Sequence, residues 1–426
     1  MYYFVSLLFV ILSAKASFID ATNICWFLID ILILWVGFTK NRFRKSDVRL
    51  FVNFSLIYIG FCTLRSIFLT QLPLSFWLSD VLFLFKYILT SFLFCALLKE
   101  KTIYYLTKVI IDLAILSIPL YCIQLISGDL VYNLGKMINL PDAHFDGYVN
   151  FVFFTFIKLH AFQNSGFSWE PGAFGFFLIM GLLLHLLTNN FTFDKRAKWV
   201  VAAIVTTLST TTFIALMFVV LLYFRARGVK FFKLLVFIVP LVFALAVSLP
   251  FLFDKIVLIY DRDMSDMKNI QTLSQTYREM GRQMPLNRFG SMIFLWQTFG
   301  IRLIWGISNI YPDTVPLLKN IGISNGIFEF CAQFGAIGLG FLLYRAYSLF
   351  RKYSMTVELS LYFILIMLIL GFGEGIFLTS LMLSFFFLYR YAAPDMLSEE
   401  PLNEDELNYN NAEKPGYTLA LNKEYI

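Results

Sequence analysis

Stretches of about twenty apolar residues recur along this chain as far as residue 391, separated by short basic or polar segments, and such a pattern leaves few ways to fold. A helix crossing a bilayer needs roughly 20 mostly apolar residues. In hydrocarbon every backbone N–H and C=O must be satisfied internally, which a helix achieves within one segment. Candidate runs cover residues 2–14, 20–39, 50–69, 75–98, 102–127, 171–188, 199–224, 230–252, 322–344, 356–373 and 375–391. Charged residues make up only 15% of the chain, against about 25% in a soluble domain. A soluble enzyme is therefore excluded, and the expected fold is an all-α, polytopic integral membrane protein.

The first run ends in Ala14-Lys15-Ala16, which imitates a signal-peptide cleavage site. No basic residues precede it and further apolar runs follow at once, so it reads as a short first membrane helix. Cytoplasmic loops collect Lys and Arg. The clusters Lys40–Arg49, Lys99/Lys101, Lys195/Arg196/Lys198 and Arg345–Lys352 alternate correctly if the N-terminus is cytoplasmic. Run 199–224 breaks the alternation, because Arg225, Arg227, Lys230 and Lys233 follow it. Its centre, Leu208-Ser209-Thr210-Thr211-Thr212, is a polar break. Two short helices turning there would keep both clusters inside. The expectation is then roughly twelve passes within residues 1–391, both termini cytoplasmic, and two outer polar segments, about 128–170 and 254–321. Residues 392–426, with eight acidic residues and two lysines, read as an acidic, disordered cytoplasmic tail.

Chemistry concentrates in the outer segments. The second carries Lys255, Arg262, Lys268, Arg278, Arg282 and Arg288, with Arg302 in the apolar stretch beyond. Arg278 and Arg282 share a face if helical. A guanidinium fork matches phosphate oxygens, although Asp261, Asp263, Asp266 and Glu279 are at hand to pair with these arginines in an ordinary solvated loop. In the first segment, Glu170 precedes Pro171, which suits the first turn of a helix. Glu170 thus stands at the mouth of a membrane helix beside Trp169. It is either a partly desolvated base for a sugar hydroxyl or an acid placed by the helix dipole, with Trp169 as an interfacial anchor. Asp30, Arg65, Asp80, Lys86, Asp112, Glu329 and Glu374 fall within or at the ends of apolar runs, where charge faces a bundle interior or cavity. Asp80 and Lys86 lie on different helix faces and each needs a partner elsewhere. Glu329 stands out because its helix is entered from the outer side. The three histidines and five separated cysteines show no ligand spacing, so no metal or cofactor is expected, and nothing points to nucleic acid.

Four patches, in order, resemble the O-antigen and exopolysaccharide polymerase family, relatives of the O-antigen ligases. Asn164-Ser165-Gly166-Phe167-Ser168-Trp169-Glu170-Pro171-Gly172-Ala173-Phe174 is similar to that family's most specific signature, and the Ser209–Thr212 break to its polar turn. Arg288-Phe289-Gly290 with Trp296 and Gly306 resembles its periplasmic arginine motif. Asn325-Gly326 with Phe334-Gly335-Ala336-Ile337-Gly338 resembles the opening of its next helix. The resemblance covers about His160 to Glu374; the first 150 residues match only in hydropathy. Two positions depart: Gln163 stands where many relatives carry Arg, and Ser324 where ligases carry His. The resemblance implies an inverting, metal-independent glycosyltransferase at the periplasmic face of the bacterial inner membrane. It would join repeat units carried on undecaprenyl diphosphate, with a flippase and a chain-length regulator as companions. Glu170, Arg288 and Glu329 are the catalytic candidates. Arg278, Arg282 and Arg288 are the candidates to bind diphosphate, and Asn164, Trp169 and Asn325 to bind substrate. A ligase-type glycan transferase and a flippase of the same lipid-linked oligosaccharide are the alternative readings.

Overall fold

Helices carry almost the whole architecture, and the sequence explains most of their ends. The computed structural model describes residues 1–68, 72–138, 147–230, 250–280, 283–354 and 356–392, and residues 1–392 form one compact unit. Arg282, most of the 230–252 run and the acidic tail lie outside the described residues.

The helices are α1 (Tyr2–Ser13), α2 (Asn23–Thr39), α3 (Lys45–Phe68), α4 (Leu74–Phe83), α5 (Leu89–Leu98) and α6 (Thr102–Ile138). They continue with α7 (Pro171–Thr188), α8 (Lys195–Thr207), α9 (Thr210–Ala226), α10 (Pro250–Lys268), α11 (Ile270–Glu279) and α12 (Arg288–Phe299). The last three are α13 (Gly326–Ser354), α14 (Val357–Gly373) and α15 (Phe385–Tyr391). Among the described residues four segments are long and apolar enough to cross a membrane: Lys45–Phe68, the joined run Leu74–Ile138, Pro171–Thr188 and Gly326–Tyr353. Tyr2–Ser13, Asn23–Thr39, Thr210–Ala226 and Val357–Gly373 are apolar but shorter.

The bundle is organised around α7, which is apolar on every face and buried along nearly its whole length. It packs against α6, α8 and α9. A helix without a polar face suits only such a surrounded position. The break at the Ser/Thr run separates α8 from α9: Leu208 takes left-handed backbone angles and Ser209 caps α9, accepting the Thr212 N–H. The opposite end of α8 is capped by Asp194, which accepts the Ala197 N–H at 2.9 Å and meets His185 Nε2 at 2.9 Å. Partial burial works against the Asp194 charge, but the Ala197 N–H, His185 and the Arg196 N–H hold its carboxyl below the usual range.

Two segments differ from the sequence expectation. Helix α6 runs on to Ile138, into the stretch read as an outer loop, bending at Ser127 where the backbone leaves helical angles. Beyond the bend Val131 and Tyr132 still find a core, formed with Val149 and Phe156 of the short antiparallel hairpin β1 (Tyr148–Asn150) and β2 (Thr155–Ile157). The 254–321 segment is likewise folded. Strand β3 (Met284–Leu286) pairs in parallel with β4 (Ile321–Ile323). Met284, Leu286, Phe294, Leu295, Phe299, Leu303, Tyr311, Leu318 and Ile321 make a core of its own. Ile270, Leu273 and Tyr277, spaced along one face of α11, lie against it.

The charges within the apolar runs are mostly paired. Asp112 accepts the Tyr3 hydroxyl at 2.9 Å, Asp30 that of Thr90 at 2.8 Å, and Lys86 donates to Asn23 at 2.8 Å. Lys86 sits in a π-turn, Leu84–Ile88, that joins α4 to α5. Arg65 and Asp80, both fully buried, form an ion pair between α3 and α4.

Candidate functional site

The N-terminal ends of α7, α12 and α13 and the C-terminal end of α14 converge on one group of polar side chains. Glu170 precedes α7 in extended conformation, with Pro171 at the first helical position. Its Oε1 accepts the Trp169 indole N–H at 2.7 Å, which fixes the carboxylate beside the ring. Glu374 ends α14, again in extended conformation. The Glu374 side chain lies against Gly172 in the first turn of α7, two residues beyond Glu170.

Arg288 opens α12 and reaches across to this pair. Its Nε donates to the Gly373 carbonyl at 2.9 Å, and Nη2 lies 3.3 Å from Glu374 Oε1. The Glu374 side chain is 10% exposed while that of Arg288 is 37% exposed. The guanidinium is thus anchored on its inner edge and open on its outer one. A cation at the C-terminal end of α14 is also favoured by the carbonyl groups left unpaired there.

Several residues hold Arg288 in place. Asp263 of α10, 1% exposed, accepts the Asn287 side-chain N–H and the Gly290 backbone N–H, each at 2.8 Å. It thereby caps the first turn of α12 from a neighbouring helix. Asn325, fully buried, donates to the Arg288 carbonyl at 3.1 Å and accepts the Phe328 N–H at 3.2 Å. One side chain therefore ties the start of α12 to the start of α13. Ser324 joins the same knot: its hydroxyl donates to the Leu286 carbonyl at 2.7 Å and its N–H to Ser291 Oγ at 3.1 Å.

Close approach at Glu374 depends on two glycines. A Cβ on Gly172 would stand 2.0 Å from Glu374 Oε1, and one on Gly326 would stand 2.0 Å from the Glu374 carbonyl oxygen. Glu329, one turn into α13, lies on the other side of the same strand of chain, so that a Cβ on Gly375 would be 2.8 Å from its Oε2. Burial first, and then the charge of Glu329, push the Tyr311 phenol well above the ordinary range.

The geometry sorts the candidate residues named from the sequence. Trp169, Glu170 and Arg288 come together, with Glu329 and Asn325 beside them. Asn164 does not present its amide to this group: it is fully buried, donating to Ser117 and Thr206 and accepting the Gly166 N–H at 2.9 Å. It fastens the signature loop to α6 and α8. Asn325 is also spent on internal bonds. Arg278 lies exposed on α11, and Gln163 donates to the Leu208 carbonyl at 3.2 Å. Two contributors went unread as site residues. Glu374 was noted only as a charge at the end of an apolar run, and Asp263 only as an ordinary partner for loop arginines. The Gly373-Glu374-Gly375 triplet closing an apolar helix is the one local signal that marks Glu374. Among the described residues no group of His, Cys, Asp and Glu is arranged to hold a metal ion.

No protein-family model, curated protein or solved structure matches this chain.

Proposed function

We propose that this protein is a polysaccharide polymerase. In this reading it joins oligosaccharide repeat units carried on undecaprenyl diphosphate, at the periplasmic face of a bacterial inner membrane that it crosses roughly twelve times with both termini cytoplasmic. The observation that carries the proposal is that Glu374 bonds to Arg288 and packs against the helix start that Glu170 precedes, so that three distant parts of the sequence meet at one end of the helix bundle.

The chemistry follows from the two edges of Arg288. Its outer edge takes the diphosphate of the donor and stabilises the negative charge that grows as the C1–O bond to phosphate breaks. The electron pair of that bond leaves with undecaprenyl diphosphate, which needs no proton to depart. Glu170, half-buried and oriented by Trp169, accepts the proton of the acceptor hydroxyl as its oxygen bonds to C1 from the opposite face, inverting the anomeric centre. Glu374 is a positioning residue that fixes the inner edge of Arg288 and keeps Glu170 close. Arg278, exposed on α11, is left as an outlying phosphate contact, Arg282 as a further phosphate candidate outside the described residues, and Glu329 as a carboxylate for the acceptor side. No cofactor or metal enters the scheme.

The test is reconstitution in liposomes with a synthetic lipid-linked repeat unit. A ladder of polymer is expected from the native chain and single units alone from Arg288→Ala and Glu170→Ala. Normal polymer from both correctly inserted variants would refute the assignment. Translocation of the lipid-linked unit without polymer would favour a flippase. Transfer of finished glycan to a separate acceptor, again without a ladder, would favour a ligase.

A further inference from the structure

At the end of α3 opposite its basic Lys40–Arg49 flank, a cavity of about 210 Å³ is lined by Arg65, Phe68, Ile301, Arg302, Trp305 and Gly306. Two of these six residues are arginines, and their circumstances differ. Arg65 is 2% exposed. It is neutralised by Asp80, and its Nη1 donates to the Gln333 carbonyl at 2.6 Å. Asp80 is saturated in turn, accepting Ser308 Oγ at 3.1 Å and the Asn309 N–H at 2.7 Å. The Arg65 Nε–H, however, is buried with no hydrogen-bond partner among the described residues. That atom is closed to solvent, so Arg65 gives the cavity a neutralised wall and no free donor.

Arg302 supplies the charge. It is exposed, and among the described residues its side chain has no ion pair or hydrogen bond. Since Asp80 already cancels Arg65, Arg302 leaves the cavity with about one positive charge uncompensated. The rest of the rim is apolar and outward-facing: Phe68 is 75% exposed, Ile301 74% and Trp305 49%. The Phe68 and Trp305 rings stack at 6.2 Å. Trp and Arg side by side at the end of an apolar helix match the interface between headgroups and hydrocarbon.

We propose that this cavity binds the phosphate head of a membrane lipid. Arg302 holds the phosphate oxygens, while Phe68, Ile301 and Trp305 carry the first part of the lipid chain. The rim fits a lipid better than a free anion, because three large apolar side chains are exposed around one uncompensated cation. The site is separate from the Glu170–Arg288–Glu374 group and shares no residue with it. It stands whether or not that group makes polymer.

The full-length protein in a mild detergent is titrated with phosphatidylglycerol, diacylglycerol of the same chains and inorganic phosphate in parallel, and bound species are counted by native mass spectrometry. Phosphatidylglycerol is expected to bind about tenfold more weakly to Arg302→Gln, with Arg302→Lys recovering most of the loss. Diacylglycerol, which has the same chains and no phosphate, is expected to be indifferent to both changes. Arg302 is exposed, so these variants keep the native thermal midpoint; Arg65 is left untouched because it is needed for the fold. Unchanged phosphatidylglycerol binding in Arg302→Gln would overturn the site. An equal response of the two lipids would overturn the role of phosphate. Binding of inorganic phosphate as tightly as the lipid would overturn the part given to the chain.

Discussion

Replacing Gly172 by Ala tests the candidate site without touching any of its polar groups. The new methyl carbon would lie 2.0 Å from Glu374 Oε1, and real contacts of this kind are not found under 3.0 Å. The carboxylate must therefore retreat by about 1 Å. Its contact with Arg288 Nη2 is already 3.3 Å, so a retreat of that size ends it. A hydrogen bond involving charged groups contributes roughly 1.5–3 kcal/mol. If Arg288 needs that anchor to meet the diphosphate, turnover falls about 10- to 150-fold. The helix itself does not object, since Ala is the better helix former by about 1 kcal/mol. Gly340→Ala is the matched control, because a Cβ there meets nothing within 4 Å. Polymer formation from lipid-linked repeat units, normalised to folded protein, is the assay. Gly172→Ala with native yield and native turnover would show that the Arg288–Glu374 contact does not matter to the reaction.

Other outcomes follow from the same contacts. Arg288→Lys keeps the charge but one ammonium cannot span both the Gly373 carbonyl and Glu374, so activity should drop at least tenfold, measured by the same polymer assay. Asp263→Ala removes the cap of α12 and should lower stability by about 1–2 kcal/mol, with a loss of activity that Asp263→Asn partly restores; a silent Asp263→Ala would contradict the capping role. Asp80→Ala strands the Arg65 charge in the bundle and should cost about 3–5 kcal/mol, visible as loss of the folded peak in detergent chromatography. The Asp194 carboxyl titrates below its unfolded value, so its stabilisation is present at neutral pH and is lost as pH falls through the folded value, below about pH 4. Asp194→Ala should be about 1 kcal/mol less stable at pH 7 and lack that acid-side decline; parallel melting curves against pH would refute the linkage.

Local chemistry was legible in the sequence wherever one short segment decided the outcome. Pro171 announces the start of α7, and the Ser209–Thr212 run announces the break before α9, because both act through their own backbone. Glu170 stood out as a charge at the mouth of an apolar helix, and Arg288 as one of a cluster of arginines in a polar segment. Glu374 and Asp263 did not, because each acts on residues far away in the chain, and only the packing of α14 and α10 against α12 brings them there. The internal bonds of Asn164 and Asn325 could not be read for a related reason. An amide looks the same in a sequence whether it faces a substrate or fastens two loops, and here both are closed in by backbone and hydroxyl partners. The extension of α6 past Ser127 was hidden because its apolar partners, Val149 and Phe156, come from a hairpin formed later in the chain.

The interruption of α13 has a consequence for how this helix transmits disturbance. At Gly335 the backbone turns to φ +79°, and Gly306 nestles against it so closely that a Cβ on either would strike the other's chain. The carbonyls of Ala332 and Gln333 are taken by the Ile307 N–H and by Arg65. In an unbroken helix one inserted residue rotates everything beyond it by about 100°. Here the segment bearing Glu329 is clamped to chain outside the helix, so an insertion below Gly335 would be absorbed at the break and leave the carboxylate pointing where it does.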